Sequence, residues 1–256
     1  MNPSKTKAKL AAGERIIGTM VTESHHPDVA RALAGAGLDF MFIDTEHCPY
    51  DMETVHTLCQ AARRWGIDPI VRVPDTAYHL MCRPLDAGAV GLMVPRVETR
   101  EQAQEIAECV FFPPRGRRGC AMRPVTMDYQ PMPVADYVQA ANEQLVLVIQ
   151  IESQRALDHL DDILRVEGPD VALVGPCDLS ISLGVPGQSG HPKMLAALDQ
   201  VAGACERHGL AAGIHAGDLA TLGEAATRGF RWLTFSSDGG FLAAGARTAL
   251  EQIQKL

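Results

Sequence analysis

The sequence predicts an α/β chain closed into a single-domain (β/α)8 barrel. Three observations carry this. Eight short apolar runs recur along the chain, an amphipathic segment follows each of them, and the 256 residues match the roughly 250 that one such barrel occupies. The runs are apolar along their whole length rather than alternating, the pattern of strands covered on both faces. The rival is an open doubly wound sheet. Eight evenly spaced units, with no GxGxxG after the first run, favour closure through right-handed crossovers instead.

Strands are expected at residues 16–21, 39–43, 69–73, 90–94, 145–151, 171–174, 210–214 and 231–235. Helical patterns fall between them at 27–36, 52–65, 80–87, 100–109, 154–166, 193–208, 218–228 and 241–254. Gly66 and Gly209 stand just past helix ends, where a left-handed cap is wanted. Residues 1–12 are read as a flexible or helical N-terminal extension. Lys5, Lys7 and Lys9 have no apolar stretch behind them, so this is no signal peptide, and a frayed, solvated start is expected. One connection is long, from Arg96 to Gln144. It carries the fourth helix and the run Phe112-Pro113-Pro114-Arg115-Gly116-Arg117-Arg118-Gly119, and a loop of that composition is expected over the barrel mouth. No repeat, linker or low-complexity tract divides the chain.

Bulk properties exclude several classes. The net charge of −8 gives no support for a nucleic-acid or anionic-membrane partner. No apolar run approaches the ~20 residues of a membrane span. Seven cysteines, an odd number with no CxxC pair, read as small buried hydrophobes in a reducing cytoplasm. Of the five lysines, Lys5, Lys7, Lys9, Lys193 and Lys255, none stands at a strand end, which excludes a Schiff-base aldolase. There is no GxSxG elbow and no nucleotide-binding Walker loop.

In a (β/α)8 barrel, chemistry sits where strands end. Asp44, Glu46 and His47 follow the second strand and Arg72 lies in the third. Glu98 follows the fourth, and Gln150 and Glu152 end the fifth. Gly175-Pro176-Cys177-Asp178 follows the sixth, His215 the seventh, and Ser236-Ser237-Asp238 the eighth. Asp178 and Asp238 are each plausible helix caps, but capping does not explain the whole set. Glu152 and Asp178 follow neighbouring strands about 4.8 Å apart, so both carboxylates can reach one hard divalent ion, Mg2+ or Mn2+; two caps or ion-pair partners are the alternative. Asp44, three residues before His47, can hold that imidazole as an acid or base. Arg72 can stabilise an enolate oxygen, or pair with Asp44 or Glu46, or do both.

The motifs FIDTEHCPYD (42–51), VRVP (71–74), LDAGAVGLMVPRVE (85–98), FPPRGRRG (112–119), VIQIES (148–153) and VGPCDLSISLG (174–184) resemble those of the HpcH/HpaI aldolase/citrate lyase family, over nearly the whole chain. The resemblance implies a metal-dependent pyruvate aldolase, which cleaves or forms a 4-hydroxy-2-oxo acid to or from pyruvate and an aldehyde through an enolate. It implies Mg2+, Mn2+ or Co2+ on Glu152 and Asp178, catalytic His47, Asp44 and Arg72, and a substrate cradle of Gln150, Arg72, Gly175, Pro176, Cys177 and Asp178. Glu46, Asp86, Arg123 and His215 are further candidates. It also implies a hexamer built as a trimer of dimers, with the C-terminal helix exchanged onto a neighbour. A citrate-lyase-like or malyl-CoA-type lyase, an oxaloacetate-type decarboxylase, and a non-catalytic barrel that binds a 2-oxo acid stay open. A phosphate-binding isomerase, suggested by Gly239-Gly240, leaves the carboxylates unexplained. Departures from the pattern (Ser24-His25-His26, Arg115, Arg117, Arg118, Cys120 to Arg123, and His215) are expected near the aldehyde half. The extra arginines suggest an anionic acceptor, or else solvated side chains.

Overall fold

The computed structural model describes residues 3–256; Met1 and Asn2, part of the expected frayed start, lie outside them. Eight parallel strands close in sequence order: β1 (Ile16–Val21), β2 (Phe40–Asp44), β3 (Asp68–Arg72), β4 (Gly91–Val94), β5 (Val146–Ile151), β6 (Val171–Val174), β7 (Ala211–Ala216) and β8 (Trp232–Ser237), with β8 pairing back to β1. Closure leaves no edge, and the strands are buried along most of their length on both faces, in keeping with the apolar runs, with Ile17 of β1 an exposed exception.

The barrel interior is filled, not hollow. Ile16, Met20, Phe40, Phe42, Ile70, Met93 and Trp232 pack within it. The Phe40 and Trp232 rings lie 4.3 Å apart. Gly18 makes that possible, since a Cβ there would stand 2.5 Å from the Phe40 ring. Outward-facing residues such as Ile43, Val71, Leu92, Ile149 and Ile214 join the larger cluster beneath the helices. This inner plug forces the inward residues one turn further along each strand, Asp44, Arg72, Gln150 and His215, up into the mouth.

The helical shell is α2 (Asp28–Gly35), α3 (Met52–Trp65), α4 (Tyr78–Asp86), α5 (Arg100–Val110), α6 (Val134–Gln144), α7 (Gln154–Asp158), α8 (Leu160–Leu164), α9 (Pro176–Ser182), α10 (Pro192–His208), α11 (Leu219–Thr227) and α12 (Asp238–Ile253). The pattern at 154–166 is two short helices meeting at His159. α6 and α9 were not expected from the sequence. In α12 no residue is buried, and Leu242, Leu250 and Ile253 are exposed.

Two expectations are corrected. The N-terminal segment is helical, one of the two forms expected for it, and is not frayed. α1 (Lys5–Ala11) seats on the barrel floor through aspartates at the strand starts. Asp68 Oδ2 accepts from the hydroxyls of Ser4 and Thr6 and from the Thr6 amide, at 2.6–2.8 Å. Lys9 and Lys5 reach buried Asp39, and Lys7 reaches Asp170. The lysines therefore have fixed partners that lie far away in sequence. The second correction concerns residues 111–133. They follow α5, not β4, and so run along the outside of the shell rather than over the mouth. Arg115 lies over the Phe111 ring, Arg117 pairs with Glu105, and buried Arg118 pairs with Asp86 at 2.8 Å. Val125, in the 3-10 turn Pro124–Met127, packs on Gly88.

Candidate active site

The mouth is built from strand ends that the register brings level. Asp44 on β2 pairs in register with Arg72 on β3, so two inward side chains of opposite charge stand side by side. The Arg72 guanidinium donates through Nε to Asp44 Oδ1 at 2.8 Å and through Nη2 to Oδ2 at 2.6 Å. This fork fixes the guanidinium plane. Burial alone would raise Asp44, but the Arg72 hydrogen bonds and charge, with the amides of Glu46 and His47, outweigh it and hold the carboxyl below its ordinary value. Burial likewise opposes the charge on Arg72, and Asp44 overrides it. The remaining nitrogen, Nη1, lies 3.4 Å from Glu46 Oε2.

Asp44 is therefore spent on Arg72, which corrects the expected Asp44–His47 pair. Only the backbone amide of His47 approaches Asp44 Oδ1, at 3.4 Å. The His47 imidazole is exposed at the rim, and its nearest carboxylate is Glu46, at 3.8 Å. Asp44 is buried while His47 stays exposed at the rim, a difference that spacing in the sequence does not reveal.

Opposite stands the oxygen-rich wall. Glu152 is buried, with Oε1 accepting from the Arg96 amide at 2.8 Å and Oε2 from Gln150 Nε2 at 2.5 Å. Burial pushes its carboxyl up to about 7; the Arg96 amide opposes this, and the nearby charges of Asp178 and Glu46 add to it. Gln150 Oε1 is buried without a partner. A Cβ at Gly175 would lie 2.5 Å from Gln150 Nε2 and 2.8 Å from Glu152 Oε2, so only glycine keeps this corner open. Asp178 does not cap α9; Gly175 holds the cap position and Pro176 opens the helix.

A cavity of 340 Å3 opens here, lined by Arg72, Gln150, Gly175, Pro176, Cys177, Asp178 and His215 among others. His215 points inward from β7 and sits 3.2 Å from the Ser236 carbonyl; burial holds its pKa below the ordinary value. A larger hollow of 830 Å3 on the outer shell, along α3 and the 3-10 turn, holds none of the strand-end residues.

Not every candidate gathers here. Asp86 ends α4 on the outer shell and pairs with Arg118, and Arg123 is exposed beside the 3-10 turn. Glu98 turns away to Ser153 and Arg155. Asp238 accepts from the amides of Thr22 and Ser24 and so ties the first loop to the last strand, while Ser237 does the capping. Sequence reasoning missed Arg96. Its backbone is left-handed, at φ 53°, which aims its amide at Glu152, and its side chain reaches Glu46 at 3.2 Å. An exposed arginine after a strand carries no signal of that conformation.

The sequence profile of the HpcH/HpaI aldolase/citrate lyase family matches residues 19–244. The chain belongs to the HpcH/HpaI aldolase/citrate lyase family. Among its HpcH/HpaI relatives, a hydroxypyruvate/pyruvate aldolase of Paraburkholderia phytofirmans is 36% identical over 231 residues, 88% of each chain. A 2-keto-3-deoxy-L-rhamnonate aldolase of Escherichia coli K12 is 34% identical over 244 residues, 95% of this chain and 87% of the relative. The crystal structure of an HpcH/HpaI aldolase from Desulfitobacterium hafniense superposes with a TM-score of 0.92 at 35% identity, over 98% of this chain and 96% of that one.

Proposed function

We propose that the chain is a divalent-metal-dependent carbon–carbon lyase that splits a 4-hydroxy-2-oxo acid into pyruvate and an aldehyde, and runs in reverse. The named aldolase relatives support the reaction class. The observation that carries the mechanism is the pairing, across one cavity, of Gln150 and Asp178 with the fixed Arg72 guanidinium, with Glu152 hydrogen-bonded to Gln150.

The residues fit a hard cation. All the donors are oxygens, Gln150 Oε1 lacks a partner, and Gly175 leaves the corner free. Mg2+, Mn2+ or Co2+ held by Glu152 and Asp178, with Gln150 beside them, supplies Lewis acidity toward a 2-oxo acid. The chain's own groups do the rest. Gly175, Pro176 and Cys177 shape the floor under the substrate. Arg72 presents the guanidinium edge that Asp44 leaves free toward the developing enolate oxygen. In cleavage, His47 takes the proton of the 4-hydroxyl, the C3–C4 electron pair passes into the pyruvate enolate, and the aldehyde leaves. Protonation at C3 completes pyruvate. Among the described residues no lysine lines the cavity, in keeping with an enolate rather than an imine.

In D2O the methyl protons of pyruvate are expected to exchange with solvent when cation is present, and oxamate is expected to block the exchange. Absence of exchange, with pyruvate and cation shown to bind, would leave the non-catalytic binder as the better reading. We also propose that copies associate as a hexamer, a trimer of dimers, through α12, whose unburied length and exposed Leu242, Leu250 and Ile253 suit a neighbouring chain. The free cysteines suit a reducing cytoplasm as its location.

A further inference from the structure

A second, smaller cavity lies at the floor end of the barrel, away from the mouth. It measures 40 Å3 and is lined by Ser4, Arg63, Arg118, Thr126, Tyr137 and Gln144 among others. Distant parts of the chain meet there: the segment before α1, α3, the outer segment 111–133 and α6. The residues leading into β4 and β5 complete the lining.

Two guanidinium groups bring unanswered donors to this cavity. Arg118 is 6% exposed. Its Nη2 donates to Asp86 Oδ1 at 2.8 Å and its guanidinium lies 4.6 Å from the centre of the Phe112 ring, but its Nε is buried with no acceptor. Arg63 repeats the pattern. Its Nε donates to Asp128 Oδ1 at 2.9 Å; its Nη2, 2.8 Å from that same oxygen, is buried and has no hydrogen-bond acceptor of its own. Buried donors on charged groups are costly to leave unmade. The carboxylates do not supply the missing acceptor. Asp86 and Asp128 stand outside the lining, and among the described residues no acidic side chain lines the cavity. Gln144 adds to the imbalance, because its oxygen already accepts the Ser4 amide at 2.7 Å, which leaves its NH2 end to donate.

We propose that a single halide-sized anion, such as chloride, binds in this cavity between Arg63 and Arg118 and fastens the outer segment 111–133 to α3 and α6. Such an ion accepts hydrogen bonds from every side and brings no hydrogen that needs a partner. Size sets the class of ligand. The cavity has room for about three water-sized particles, which admits a halide but not the five heavy atoms of a sulfate or a phosphate. Water fits the same space, and the experiment separates the two. The site stands apart from the mouth and does not depend on the aldolase reading.

The test is a set of thermal melts of the full chain in sodium chloride, sodium bromide and sodium sulfate, at one ionic strength and one Mg2+ concentration. Sulfate is excluded from protein surfaces and so stabilises folded proteins in general, and it is too large for the cavity. General salt effects therefore rank sulfate first, whereas filling the cavity ranks the halides first. The wild-type protein is expected to melt at least about 3 °C higher in chloride or bromide than in sulfate. In Arg118→Met, which keeps an apolar chain against Phe112, the order is expected to reverse. Comparing salts within one variant cancels the stability that the substitution itself removes. Arg63→Gln gives the same comparison from the opposite wall and serves if Arg118→Met does not fold. Crystals grown in bromide are expected to show an anomalous peak between the two guanidinium groups. Sulfate ranking first in the wild-type protein overturns the proposal. So does a halide preference that the variants retain, which would place the ion elsewhere, and so does a cavity that holds water alone in the bromide crystals.

Discussion

Arg72 serves two masters, and each can be measured. Its fork neutralises Asp44, which is 1% exposed, and its outer edge faces the cavity. Arg72→Ala is expected to slow cleavage about 10²–10³-fold, the usual loss for one donor at a developing oxyanion. It is also expected to destabilise the fold by roughly 3–5 kcal/mol, because a buried carboxylate is left unpaired. Adding Asp44→Asn should restore much of the melting temperature but none of the rate. A double variant that regains rate would return Arg72 to a purely structural part. Glu152 makes a pH prediction. It titrates near 4.5 when free and at about 7 in the fold, so between those values the metal-free fold holds an extra proton. Its contribution to stability is complete below about 4.5 and is lost as the pH rises through about 7. Glu152→Gln should therefore stabilise the metal-free protein more at pH 8 than at pH 5 in parallel thermal melts. A cation must displace that proton, so its apparent affinity should fall about tenfold per pH unit below about 7; flat affinity by calorimetry across that range would contradict this.

At the scale of elements, α1 can be tested without disturbing the mouth at the opposite end. Asp68 gathers three hydrogen bonds from Ser4 and Thr6, and Asp68→Ala leaves those donors unsatisfied. A loss of roughly 2–4 kcal/mol is expected, with fast hydrogen exchange over residues 4–11 and unchanged turnover. Slow exchange there would mean that the lysine pairs suffice. The eight strands were legible because a strand covered on both faces must be apolar throughout, and the observed strands start and end within about two residues of the reading, the usual boundary uncertainty. A helix was one of the two forms expected for α1, but its seat was not legible. Its lysines look solvated in the sequence, since their partners Asp39 and Asp170 lie downstream. α9 was missed because Pro176-Cys177-Asp178 reads as a loop until its proline is seen to open a helix. Strand position alone placed Gln150, Asp178 and Arg72 at the mouth and offered the Arg72–Asp44 pair as one reading, whereas the exposure of His47 depends on a loop that the sequence leaves open.

At the scale of the molecule, strand order followed directly from chain order, but the outer path of residues 111–133 did not. Composition suggested a loop over the mouth, and only the position after α5 shows that it belongs to the other side. α12 poses the remaining question of size. It exposes Leu242 at 76% and Ile253 at 62%, more apolar surface than a lone helix normally leaves in water. Sedimentation is expected to show a species larger than one chain, with a melting temperature that rises with protein concentration. Leu242→Glu with Leu250→Glu should shift it toward the monomer. A wild-type protein that sediments as a monomer at every concentration would remove the hexamer from consideration.

The seat of α1 also has a consequence in time. The helix leaves the ribosome well before its anchors: Asp68 is made some 60 residues later and Asp170 more than 160 residues after Lys7. Translation delivers roughly 5–20 residues per second, so α1 waits on the order of ten seconds, until β6 begins to emerge, before Lys7 can reach Asp170. Its contact with the last strand comes later still, when the guanidinium of Arg231, 221 residues after Leu10, donates to the Leu10 carbonyl.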